Sequence, residues 1–274
     1  MQVKLKAKDV PMIIGFLMLS MIVGVVIFAP FIATQDPLQV NIDARLINSS
    51  KEHYLGTDAW GRDIFSRLVY GARYSLLIGF SSIALSMISG LIVGSLAGYY
   101  SNSRLSGFIN WITDILMCFP TLILGALVAM VFGPGILNTI LAISITFFPR
   151  FIRFARATAL SIKEELFITA AKSIGMRETR LFFVHLIPNV ISPVVIIGIV
   201  WTSMAIVAEV GLSFLGLGVP PPNPSWGNII LDNLRYFRMR PSHVIWPSIA
   251  IAWTIQGLNL IGDRFHDILD PKTK

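Results

Sequence analysis

Two carboxylates sit inside long apolar runs of this sequence, Asp114 in INWITDILMCFPT and Glu209 in SMAIVAEVGLSF. A charge in lipid is costly, so such residues face a bundle interior, a water-filled cavity or a cationic partner. Each marks either a pathway or gate, or a structural ion pair or hydrogen-bonded carboxyl. Little else in the chain offers chemistry. There is no G-x-x-x-x-G-K-[ST] phosphate cradle, so any ATP that is used binds to another chain, and there is no H-E-x-x-H. His53, His185, His243 and His266 show no metal-ligand spacing. The GLSFLG at 211–216 is only loosely like a nucleophile motif, because Ser213 lacks a partner base on a neighbouring turn and reads as a close-packed small residue. The single cysteine, Cys118, reads as a small buried hydrophobe. No catalytic, cofactor or metal role is expected within the chain.

The elements that must hold these residues are membrane helices. Of 274 residues, 54% are hydrophobic and only 14% charged, outside the range of soluble globular domains. A span needs about 20 apolar residues, and runs at 12–33, 75–98, 108–132, 191–214 and 244–262 meet that length. A sixth, 136–149, reaches it by extending through FFPRFIRFA, with Arg150, Arg153 and Arg156 snorkelling at its end. The expectation is an all-α integral membrane protein of six transmembrane helices. Pro120, midway along the third span, should kink it, lining a cavity or merely packing. In the second span Ser82, Ser86, Gly90, Gly94 and Gly98 recur every four residues, a small-residue ridge that lets another helix approach closely, within the chain or from a partner subunit.

Charge sets the orientation. Lys4, Lys6 and Lys8 precede a first apolar run too long for a signal-peptide core, so that run reads as a retained span. Placing these lysines in the cytoplasm puts 14 of the 22 Lys/Arg on the inner side, an N-in, C-in topology. The net charge of +7 is then an orientation signal, and no nucleic-acid partner is expected. The chain divides into a tail and first span (1–34), an outer segment (35–74), a five-helix core (75–264) containing an inner loop at 157–190, and a C-terminal tail (265–274). In the outer segment, Ile64, Phe65, Leu68, Val69 and Ala72 share one helical face, which predicts an interfacial helix with Thr57 or Asp58 as N-cap and an Asp63–Arg67 pair. GLGVPPPNPSWGNIILDN pairs a proline run with a short amphipathic stretch.

The inner loop carries LFITAAKSIGMRETRLFFVHLIPN. KEELFITAAKSIG predicts a helix with acids in its first turn, Phe167, Ala171 and Ile174 on one face, and Gly175 as its stop. A second short helix, RETRLFFVHL, is ended by Pro188. Such a pair suits a helix-in-groove contact with a soluble partner, or simply connects two spans. The pattern TAAKSIG…LIPN resembles the EAA loop of ABC-importer permeases, matching at Ala170, Ala171, Gly175 and Ile187–Pro188, with Thr169 where the family's Glu usually stands. YLGTDAWGRDIFSRLVYGAR, LSFLGLGVPPPNPSWGNII and GDRFHDILDP are similar to the C-type permeases of dipeptide, oligopeptide and nickel importers. The resemblance implies a type I importer permease (MetI-like) fold in a prokaryotic plasma membrane. It also implies a homologous second permease, two cytoplasmic ATPases carrying ATP and Mg, and an extracytoplasmic solute-binding protein. The loop would then dock in an ATPase cleft, with cargo of peptides, or else nickel or a metal chelate. An ATP-independent secondary transporter would call for inverted repeats and paired broken helices, which the sequence does not show.

Overall fold

The computed structural model of the chain describes residues 9–269, and all regular secondary structure among them is helical. Lys4, Lys6, Lys8 and the end of the C-terminal tail lie outside the described residues. Five helices are long and apolar enough to cross a membrane: α1 (Val10–Ile27), α3 (Ile64–Tyr99), α6 (Ile136–Lys163), the continuous run of α8 (Glu178–Arg180) into α9 (Ile187–Phe214), and α11 (Ser242–Leu269). The short α2 (Ala29–Ile32), α7 (Leu166–Ser173) and α10 (Trp226–Leu234) complete the outline. The described ends meet on one side, where Arg264 reaches Asp9 at 2.6 Å and joins the end of α11 to the start of α1. α7 lies on that same side, because α6 runs into it after spanning the bundle.

The expected third span, 108–132, is broken rather than kinked. α4 (Arg104–Met117) and α5 (Thr121–Phe132) meet at 97°. Pro120 takes extended backbone (φ −56°, ψ 137°) as the N-cap of α5, so its missing N–H and its ring end one helix and start another. At 1.5 Å per residue the halves are about 21 and 18 Å long, and neither spans alone.

The small-residue ridge decides how the bundle is built. Ser82, Ser86, Gly90, Gly94 and Gly98 are all buried, and they face α6 of the same chain. A Cβ on Gly90 would overlap Phe151 Cβ, on Gly94 it would stand 2.5 Å from the Ile152 carbonyl, and on Gly98 2.7 Å from the Arg156 carbonyl. Where the ridge turns from glycine to serine, the hydroxyls tie the two backbones. Ser86 Oγ donates to the Ser144 carbonyl at 2.9 Å and Ser144 Oγ to that of Ser82 at 3.1 Å. In lipid, close backbone approach and such bonds replace the hydrophobic effect as the source of helix association. α9 closes the third side, with Phe151 edge-on to Trp201 at 4.6 Å between centroids.

At the end opposite α7, the predicted interfacial helix is instead the first three turns of α3. On its polar face Arg62, Asp63, Ser66 and Arg67 are buried, with segment 34–63 and α10 close by, while Arg73 stays exposed. The cap is Asp63, which accepts from Ser66 N at 2.7 Å, rather than Thr57 or Asp58. Asp63 also meets His53 Nδ1 at 2.9 Å, which leaves Arg67 to other partners. Arg62 bridges Asp58 (2.6 Å) and Asp232 of α10 (2.9 Å), and Arg67 lies between the same two carboxylates at 3.8 and 3.6 Å. Two guanidinium and two carboxylate groups thus clamp the loop, α3 and α10 together.

The inner loop also differs from expectation. Glu164 closes α6 and Glu165 caps α7, so both acids sit at the junction rather than inside the first turn. Chain direction reverses at Gly175 (φ +79°), with Gly175 N bonded to Lys172 O and Met176 N to Ala171 O, a Schellman turn. Pro188 does not end a helix. Leu181–Leu186 widen into π geometry, Ile187 N reaches back five residues to Phe182 O, and Pro188 enters the first turn of α9, where a missing N–H costs least.

The ridge predicts its own test. Gly94→Val should lower the unfolding temperature of the detergent-purified protein by several degrees, since overpacking of this kind costs about 1–3 kcal/mol. Gly24→Ala on α1, where nothing beyond the local helix backbone and the two chain neighbours lies within 4 Å of the new Cβ, should leave it unchanged.

Candidate coupling surface and membrane pathway

α7 is held by two residues and presents the rest. Ile168 and Ala171 are buried in the same core that holds Tyr99, Leu181, Phe182 and Leu186, while Thr169 and Ala170 are exposed. The face expected to join Phe167, Ala171 and Ile174 is split: Ala171 points inward, whereas Phe167 and Ile174 are 42% and 80% exposed, and Leu166 is 86% exposed. The helix has only eight residues, and Ile174 already belongs to the turn that Gly175 makes, so it leaves the helical register. Three large apolar side chains therefore stand free at the end of the bundle.

Beneath them Tyr99, the last residue of α3, gathers the loop. Its hydroxyl donates to the Glu178 carboxylate, and its carbonyl accepts from Lys163 Nζ at 2.8 Å. The ammonium groups of Lys163 and Lys172 each lie 5.7 Å from its ring centroid, and Phe182 meets it edge-on at 5.5 Å. Nothing in the sequence singles out Tyr99, because these partners lie 64 or more residues away and only the fold assembles them.

The two membrane carboxylates have different surroundings. Asp114 is paired with Arg153 of α6 at 2.5 Å, and both side chains are more than half exposed. Cys118, one turn on, is also exposed rather than buried. Glu209 is fully buried. Ser213 Oγ donates to its Oε1 at 2.7 Å, and Ser225 Oγ donates to Ser213 Oγ at 3.2 Å. Ser213 therefore does have an acidic partner, one turn earlier at i−4, and that spacing is visible in AEVGLS. The chain Ser225–Ser213–Glu209 ties the end of α9 to the cap of α10.

A helical bundle with an exposed apolar loop helix at one end and a clamped loop at the other has known relatives. Residues 90–274 match the family described as the binding-protein-dependent transport system inner membrane component. The chain belongs to this family. A dipeptide transport system permease protein of Alkalihalophilus pseudofirmus is 37% identical over 96% of this chain and 86% of its own length. A di/tripeptide permease of Pseudomonas aeruginosa is also 37% identical, over 95% and 88%, and an oligopeptide permease of Bacillus subtilis 34%, over 95% and 85%. The permease is thus an ABC-importer subunit and a multi-pass plasma-membrane protein, part of a larger transporter complex.

In the permease, water should reach one carboxylate position and not the other. In a Cys118→Ser background, Asp114→Cys is expected to react with a water-soluble maleimide and Glu209→Cys to stay unmodified. Equal labelling of the two would contradict the different exposures described above.

Proposed function

We propose that the permease forms half of the membrane pathway of an ATP-driven importer of di- and oligopeptides. A homologous permease supplies the other half, two cytoplasmic ATPases bind ATP and Mg, and an extracytoplasmic binding protein delivers the cargo. This places α7 and both termini in the cytoplasm, in line with the Lys/Arg bias. The cargo reading rests on relatives named for peptides, which favour peptides over nickel.

The observation that carries the reading is the exposed apolar platform of α7. Leu166, Phe167 and Ile174 lie outside the spans, and burial of each in a partner's groove would contribute about 1.5–3 kcal/mol. ATP can shift the permease between inward- and outward-open states only through contacts that differ between them. A push on α7 passes through Ile168, Ala171 and Tyr99 into α3 and α6. These two helices meet backbone to backbone along the glycine ridge, so little is left between them to compress.

Leu166→Glu should abolish co-purification of the ATPase while the permease still inserts. Gly175→Glu should insert normally yet lose ATP-dependent uptake in proteoliposomes, because a side chain at φ +79° costs about 1–2 kcal/mol and shifts the turn that sets α7. Wild-type uptake by Gly175→Glu would refute the coupling role.

A further inference from the structure

α4 is amphipathic the wrong way round for a helix in water. Its buried side carries hydroxyls: Ser106 donates to the Ala97 carbonyl of α3 at 2.8 Å, and Thr113 to the Ile109 carbonyl of its own helix at 2.7 Å. The opposite side carries Leu105, Phe108, Trp111, Ile112 and Ile115, which fall within about 120° of arc. These five are 37–61% exposed, and Phe108 and Trp111 stack on each other. A helix with one side in water shows the reverse pattern, polar residues outward and apolar ones inward.

The helix also lies across the bundle rather than along it. α5 runs antiparallel to α6, since Thr121 meets Arg150, Gly125 faces Thr146, and the Phe132 carbonyl accepts from Asn138. The 97° bend then sets α4 close to a right angle with α6. Depth follows from a chain of contacts. The 18 residues of α1 are about 27 Å long, nearly a whole hydrocarbon core, so its start at Asp9 and Val10 marks one edge of the membrane. Asp9 pairs with Arg264, Gly262 abuts Val200 and Asn259 bonds to Ser203, which puts that edge about level with Gly198 of α9, beside Phe151 of α6. α4 meets α6 just beyond Phe151, where Asp114 pairs with Arg153. It meets α3 at Ala97, between the two glycines that pack on Ile152 and Arg156. α4 is therefore within about 10 Å of the membrane edge on the α7 side, and nearly parallel to it.

We propose that α4 is an in-plane helix whose apolar side is seated in the phospholipid of the leaflet on the α7 side. Headgroups give way to acyl chains at this depth, and an amphipathic helix sinks its apolar face about 5–10 Å into that boundary. Trp111 suits the level, since its ring is apolar and its N–H polar. Arg104, on the same arc and one turn before Phe108, forms no ion pair among the described residues, which leaves its guanidinium for a lipid phosphate. Through Ser106 and Asp114 the seated helix holds α3 and α6 at a fixed depth in the membrane.

The test uses the assembled transporter in nanodiscs, in a Cys118→Ser background, with a fluorophore on one introduced cysteine at a time. Phe108→Cys and Ile112→Cys report on α4, and Leu17→Cys, exposed at mid-α1, is the deep reference. On α4 the label is expected to be quenched most by lipid with a nitroxide near the top of its acyl chain, and less by a chain-end or a water-soluble nitroxide. At position 17 the chain-end nitroxide should quench most. A depth on α4 equal to that at position 17 would overturn the proposal in favour of an ordinary span. Quenching by the water-soluble nitroxide alone would overturn it by placing the face in water. Absence of lipid quenching at both α4 positions would overturn it by assigning the face to the partner permease. The readout needs neither cargo nor ATP, so its outcome is separate from that of the peptide reading.

Discussion

Contact between α3 and α6 is the constraint on which the rest of the molecule depends. Their backbones approach so closely that no side chain fits at Gly90, Gly94 or Gly98, and the two serines further along complete the seam with hydrogen bonds. α9 packs against both of these helices, and α4 and α5 both pack against α6. Because lipid supplies no hydrophobic drive for helix association, this geometric fit carries much of the bundle's specificity.

The two ends of that seam serve different purposes. At one, Tyr99 and Lys163 finish α3 and α6 within reach of each other, and the loop helix is built on them. At the other, α3 begins inside the Arg62–Asp58–Arg67–Asp232 cluster. Breaking a buried cluster by removing one partner leaves an uncompensated charge, which makes such a group stiff rather than strongly stabilising. A stiff end and an end that presents apolar side chains for docking are joined by a rod of tightly packed backbone.

Much of this is legible in the sequence because it depends on local pattern. Hydrophobic runs locate the long helices, although α3 begins eleven residues before its run and α11 ends seven after its own; the four-residue spacing of small residues identifies the packing ridge, and Gly175 stands out as a helix stop. What escapes depends on tertiary partners. The amphipathic face of residues 64–73 looks interfacial because nothing local shows that α10 and segment 34–63 lie close to its polar side. Asp63 and Arg67 have the spacing of a helix pair, but Asp63 lies at the cap and has His53 and Ser66 to serve. Pro120 announces a bend without its size, since the angle is set by what α4 and α5 pack against. The apolar run thins at FFPRFIRFA, and nothing local shows that α6 continues as one helix for thirteen residues beyond Arg150.

The π turn at Leu181–Leu186 settles a matter of phase. Buried positions along this helix fall at Leu181 and Phe182, then at Leu186, Val190 and Val194, a spacing of four that an ideal α-helix of 3.6 residues per turn would gradually rotate off its face. The wider turn absorbs part of that drift and keeps the loop side and the membrane side of the helix on one meridian. Residue number in this segment is therefore held more strictly than residue type. Loss of a single residue would turn everything before it by roughly 100° about the axis of α9, and the surface offered to a partner would face another direction while every side chain on it stayed the same.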